Sequence, residues 1–277
     1  MAEDYVLSEV FFLTEMSQQK AEELLEMFAE GEGLEAMNTS LALHLSELAR
    51  ELGRDYLVTR LLDHAVKVAS DAEEQGWCQF ELMKHQNSPK EEIIGLGMAS
   101  ESEGLKGLAA GIFHHAALMS LGTEEAMSFA NRSMRLREEV DDLEGMIYGH
   151  ALLAHIAKEE EKFDESKMHL KKRLEIIPEK ESFERMEALA DLAHIHATVG
   201  ELEEAQNLLI ESLDLAIQLN DLSGILVAKW GLADLAEISD QPNEAMVQLS
   251  DIMTKFMEEG EIVPDLVKQR VAKLTES

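Results

Sequence analysis

At 277 residues the chain has room for two ordinary domains, or for one continuous repeat array that folds as a single body. Acidic residues outnumber basic ones by 56 to 24, a formal net charge of -32, so nucleic acid phosphates and anionic membranes are repelled and neither is an expected partner. Cys78 is the single cysteine, which excludes an intramolecular disulfide and a cysteine-based zinc site and fits a reducing cytoplasm.

The mixture is 45% hydrophobic but only 5% aromatic, rich in Ala, Leu and Glu, and so favours helices over strands. Glu outnumbers Asp by 42 to 14 and Lys outnumbers Arg by 15 to 9, a balance that reads as solvated helix faces and not as salt adaptation. The first residues carry no positive segment ahead of an apolar one, and no stretch of about 18 apolar residues occurs, so secretion and membrane spanning are disfavoured.

In chain order, breaks are expected near Met16, Gly31 to Gly33, Gly53, Gly76, Asn87 to Pro89, Gly122, Asp141, Glu161, Pro178, Gly200, Asn220 and Asp240. They divide the chain into about seven helix pairs forming one domain over 1–277, less regular over 1–100 and regular over 101–260. A last helix, 264–275, closes it: Leu266, Val267, Arg270, Val271 and Leu274 fall at helical spacing, as a terminal cap requires. Pro89, Pro178, Pro242 and Pro264 all fall in loops or at helix starts. Gly95, Gly97, Gly104, Gly107 and Gly111 cluster across a helix, a turn and the next helix. Close packing is the favoured reading there and a hinge the alternative.

A block recurs along the chain: an acidic turn, an apolar helix, a break, and a short charged run ending in a small residue. Ala126, Ser166, Ala205 and Ala245 open its second helix at intervals of 40, 39 and 40 residues. Ala21, Val58 and Ile93 are the looser upstream equivalents, 37 and 35 residues apart with 33 more to Ala126. In the first helices Ala154, Ala193 and Ala233 take a position where a small side chain lets two helices approach to about 8 to 10 Å, and His114 departs from that pattern.

The clearest copy runs from Ala188 to Ala205, with Leu189, Leu192, Ala193, Gly200 and Ala205 at its key positions, followed by Leu208, Leu209, Ser212 and Leu213. This block resembles the tetratricopeptide repeat: a large residue, then a Leu and small pair, a Gly ending the first helix, and acidic residues before a packing Ala. The spacing near 40 is similar to the long-helix variants of that family. The resemblance implies an all-α, right-handed superhelical array of antiparallel helix pairs, a TPR-like α-solenoid.

No phosphate loop, nucleophile elbow, zinc helix or calcium loop occurs, and Gly95-Leu-Gly97 has no strand before it, so neither an enzyme nor a cofactor is expected. The histidines are less ordinary. His115, His155 and His194 each precede the opening residue of a second helix by 11 positions and share one place in the frame. In the family that place faces a concave groove, so the resemblance implies a partner-binding stripe of Glu47, His115, Tyr148, His155, Asp191, His194, Trp230 and Asp234. A metal site is not expected, because donors must converge at about 2 Å while neighbouring first helices lie about 10 Å apart. A solvated polar stripe without a ligand remains the alternative.

What the resemblance implies is a cytoplasmic scaffold or adaptor that holds a protein or peptide. The second reading is a peptide- or ligand-responsive sensor of the same fold. Residues 201–250 carry ten acidic side chains against Lys229 alone, which suits a basic partner segment or a solvated face. Lys167, Lys171, Lys172 and Arg173 form the one basic cluster, expected on the outer side of a second helix. The methionines, Met119, Met127, Met134 and Met146 among them, are expected to fill the core, and an incompletely capped array end would allow a homodimer.

Overall fold

The computed structural model describes residues 25–28, 37–178 and 182–276. The expectations placed on Met16, Ala21 and Gly31 to Gly33 lie outside the described residues. Residues 25–28 are helical, and thirteen further helices follow: α1 (Thr39–Glu51), α2 (Asp55–Val68), α3 (Ala72–His85), α4 (Lys90–Ser102), α5 (Lys106–Met119), α6 (Glu124–Glu139), α7 (Leu143–Glu159), α8 (Phe163–Ile176), α9 (Phe183–Thr198), α10 (Leu202–Gln218), α11 (Leu222–Ile238), α12 (Pro242–Glu258) and α13 (Asp265–Glu276). No strand occurs among the described residues.

Several helices, α1, α7, α9 and α11 among them, begin at a side chain that accepts from a free backbone N–H. Asn38 accepts from Leu41 N, Asp142 from Gly145 N, Ser182 from Arg185 N and Asp221 from Gly224 N, at 2.7 to 3.1 Å. Most helices end at a residue with left-handed backbone, α2 and α8 excepted. Gly53, Gly122 and Gly200 take that conformation without strain, while Asn87, Asp141, Glu161, Asn220 and Asp240 adopt it at φ between 51° and 58°. Each of these stands at an expected break. Near Gly76 the expectation fails, because that residue lies inside α3 and the break falls at 69–71. Asp71 caps α3 by accepting from Glu74 N at 2.8 Å, and the Glu74 carboxylate accepts in return from the backbone N and the hydroxyl of Ser70. Gly76 serves packing instead: a Cβ there would lie 2.2 Å from Leu108 Cδ2.

Contacts divide the chain into two compact units, Met1–Met119 with Arg135–Val140 and Ser120–Met134 with Asp141–Ser277. In the first, α1 packs on α2, and α4 packs mainly on α5 and only lightly on α3. Its core centres on Leu45, Leu57, Leu61 and Leu62, with a second cluster of Phe80, Ile93, Leu108 and Ile112. Gly97 and Gly111 lie inside this packing, where a Cβ would come within 2.9 Å of Ile112 and 2.5 Å of Trp77, whereas Gly95 faces open space and Gly104 forms a turn at φ +83°. Met119 is 43% exposed and does not fill the core as expected, since it ends α5 on the solvent side; Met134 is buried.

In the second unit α7 pairs with α8, α9 with α10 and α11 with α12, and each pair packs on the next. Every small residue of the repeat frame there is buried: Ala126, Ala154, Ser166, Ala193, Ala205, Ala233 and Ala245 are at most 3% exposed. Ser166 replaces alanine without leaving a hydroxyl stranded, because its Oγ donates to Ala154 O at 2.8 Å. Ser212 does the same to Met186 O at 3.0 Å. The last helix docks through Val267, with Val271 and Leu274 half-buried beside it, while Leu266 stays 56% exposed.

Candidate functional site

Three residues of the expected stripe meet in the second unit. His155 on α7 and Asp191 and His194 on α9 line one pocket of about 80 Å³ with Ala151, Ala154, Lys158, Ser166, Leu170 and Ile195. The small side chains of Ala151 and Ala154 leave the space, α8 supplies the floor through Ser166 and Leu170, and the polar groups stand at the mouth. Both histidines are exposed. Tyr148, also exposed, precedes Ala151 by three residues and His155 by seven, and so shares their face of α7.

Asp191 is the electrostatic centre of this region. Water reaches 60% of its side chain, yet protein surrounds the concavity, and that desolvation raises its carboxyl above the ordinary range. Arg173 is the first influence working the other way, and Lys158 and His194 add to it. Arg173 corrects an expectation. It does not face outward with the rest of the basic cluster but is 3% exposed, its Nη1 3.4 Å from Asp191 Oδ2 and its Nη2 3.3 Å from Glu187 Oε2. A long guanidinium on α8 can cross to α9, and burial in the helix interface is offset by the two carboxylates. Lys167 pairs across the interface with Glu201 at 3.0 Å and on its own helix with Asp164 at 3.6 Å.

A second depression shares Asp191 and extends toward α11. Its floor is Met186, Ala190, Gly224 and Val227, its rim Glu187, Asp191 and Asp221, and its volume about 300 Å³. The two depressions share Asp191; one is lined by His155, Lys158 and His194, and the other is carboxylate-rimmed over an apolar floor.

Trp230 and Asp234, further along α11, are already engaged. Arg270 of α13 lies over the Trp230 ring at 4.8 Å from its centroid and reaches Asp234 Oδ1 at 2.7 Å. Glu47 is exposed on α1 in the first unit. His115, also in the first unit, is half-buried and edge-on to Phe80 at 5.5 Å; burial pushes its pKa down, with Lys84 adding to the shift.

Sequence reasoning missed Lys158, Arg173 and Arg270 as parts of the site. Lys158 was legible, since it stands three residues after His155 on the same helical face. The two arginines act across helix interfaces, which no local spacing reveals. Among the described residues no group of three or more His, Cys, Asp or Glu could hold a metal ion, and no helix is long and apolar enough to cross a membrane.

No family model matches the chain, and no curated protein does. Among solved structures it is similar to BtubC (BKLC) from P. vanneervenii, with a TM-score of 0.51, 13% identity and 89% of each chain covered. Lower TM-scores relate it to TTC0263, a thermophilic TPR protein of Thermus thermophilus (0.45; 15% identity; 70% of this chain and 98% of that one), and to the apo form of RapI (0.48; 12%; 99% and 96%). Identities this low bear on the fold alone. That fold is an all-α, tetratricopeptide-like helical repeat.

Proposed function

We propose that the chain is a protein-interaction scaffold of the cytoplasm, a single repeat domain and not an enzyme, that binds a segment of another protein along α7, α9 and α11. The observation that carries this reading is the convergence of His155, Lys158, Asp191 and His194 on one pocket that shares Asp191 with the apolar depression beside it. Side chains from two successive first helices point into shared empty space, where a core packing role would have closed it.

The partner segment carries basic residues. Glu187, Asp191 and Asp221 rim the apolar floor, so a basic side chain above that rim and an apolar one on Met186, Ala190 and Val227 complement it. His155, Lys158 and His194 favour a hydrogen-bond acceptor at the other end. Ile262 and Leu266, exposed at the end of the repeat series, form the contact through which two copies associate at high concentration.

A displayed random-peptide library selected on the native chain tests the reading. Enriched peptides are expected to be basic, to bind at micromolar strength, and to lose at least tenfold in affinity on the His155→Ala, Asp191→Asn, His194→Ala chain. Peptides that bind both chains equally, or no enrichment at all, would refute it.

A further inference from the structure

Arg270 does more than close the last helix. Its side chain is 15% exposed and satisfied on two sides by carboxylates and on a third by an aromatic face. Nη2 lies 2.7 Å from Asp234 Oδ1; Nη2 and Nε both donate to Glu237 Oε1, at 2.8 and 2.9 Å; and the guanidinium carbon stands 4.8 Å from the Trp230 ring centroid. Two carboxylate contacts and a ring to stack on are the features that distinguish a guanidinium from an ammonium. All three receptor residues project from α11, a first helix of the repeat, at positions 230, 234 and 237, which one helical face presents together.

We propose that the Trp230, Asp234 and Glu237 face of α11 is a recognition site for an arginine displayed on a helix of a partner protein, and that α13 fills it in the free chain with Arg270 as a resident stand-in. The proposal rests on the reading of the first helices as the binding face and names the chemistry of one of its subsites. Burial raises the Asp234 carboxyl and Arg270 is the first influence opposing that shift, so the site favours a cation. The stand-in is held along one side only. Val263 and Val267 are buried, but Ile262 is 84% and Leu266 56% exposed, and 260–264 forms no regular structure between α12 and α13. Lys229, the nearest cation on α11 itself, is committed elsewhere, to Asp251 at 2.7 Å.

The probe is a synthetic peptide of residues 265–276, and Trp77→Phe leaves Trp230 as the one indole that reports. The full chain carrying Trp77→Phe is expected to bind the peptide weakly, because Arg270 occupies the site. With Arg270→Ala added, binding tightens at least tenfold and shifts the Trp230 emission. The peptide carrying the Arg270→Ala change shows no such gain, and further substitution of Asp234→Asn and Glu237→Gln in the chain abolishes it. Equal affinity for the two chains, or an equal gain for the arginine-free peptide, overturns the proposal and leaves Arg270 a structural clasp. Circular dichroism checks folding, and should Arg270→Ala not fold, Arg270→Lys, which keeps the charge without the fork, is to show a smaller gain; no gain then counts against the site. A failure here with His155-dependent peptide binding intact condemns this subsite alone, and the reverse pattern condemns the groove on α7 and α9 alone.

Discussion

His150 on α7 and His169 on α8 are 4% and 8% exposed, and their Nδ1 atoms lie 3.0 Å apart. At that separation one ring donates its Nδ1–H and the other accepts, so the accepting ring stays neutral; a proton on its Nδ1 would set two donors face to face. Burial is the main cause that lowers His150 to about 4, followed by His169 and Lys172. His169 is lowered by burial first and by Lys172, with Glu165 opposing. The unfolded rings titrate near 6.5, so the unfolded chain binds more protons below that pH. The contribution of His150 is therefore fully present above about pH 6.5 and is lost as the pH falls toward 4, at about 1.4 kcal/mol per pH unit, and that of His169 is lost in the same direction. Urea midpoints measured from about pH 7.5 to about pH 5 should fall accordingly, and His169→Gln should flatten the decline. A residual slope belongs to His114, which burial and Arg137 lower to about 4, and to His115, which burial also lowers. An unchanged slope in the variant would remove the pair from the account.

At the scale of elements, the repeat was legible because its determinants are local. Ala154, Ala193 and Ala233 are small for the reason inferred, the nesting of helices, and all three are buried. Turns at Asp141, Glu161, Asn220 and Asp240 were readable from polar residues at fixed intervals, although Glu161 has no intrinsic liking for φ +58° and yields to the packing on either side. Gly76 misled because glycine serves two purposes, turn and close approach, and only Leu108, a partner 32 positions away, tells which. The same ambiguity resolves within the glycine cluster. Gly111→Ala is expected to destabilise by about 1 to 3 kcal/mol, since its Cβ would meet Trp77, while Gly95→Ala, with nothing within 4 Å, should stabilise by about 1 kcal/mol. Denaturant melts of the two variants check this; equal signs would mean that these glycines act as a hinge and not as packing sites.

For the molecule as a whole, the composition and the repeat period gave the class of fold, yet only part of the candidate site. The frame position shared by His155 and His194 was visible as a spacing, and with Asp191 they line one pocket. The occupancy of Trp230 and Asp234 by Arg270 was not visible, because it depends on how α13 docks against α11. Likewise Arg173 was assigned by its helix to an outer surface, whereas its length lets it cross to Glu187 and Asp191.

The scaffold reading makes a spatial claim that amide hydrogen exchange reads directly in the presence of a peptide selected on the native chain. Protection should concentrate on α7 and α9 and on the start of α11, and leave the outward helices α10 and α12 near their free-state rates. Protection spread over α10 and α12, or confined to the turns between pairs, would contradict a groove built from the first helices.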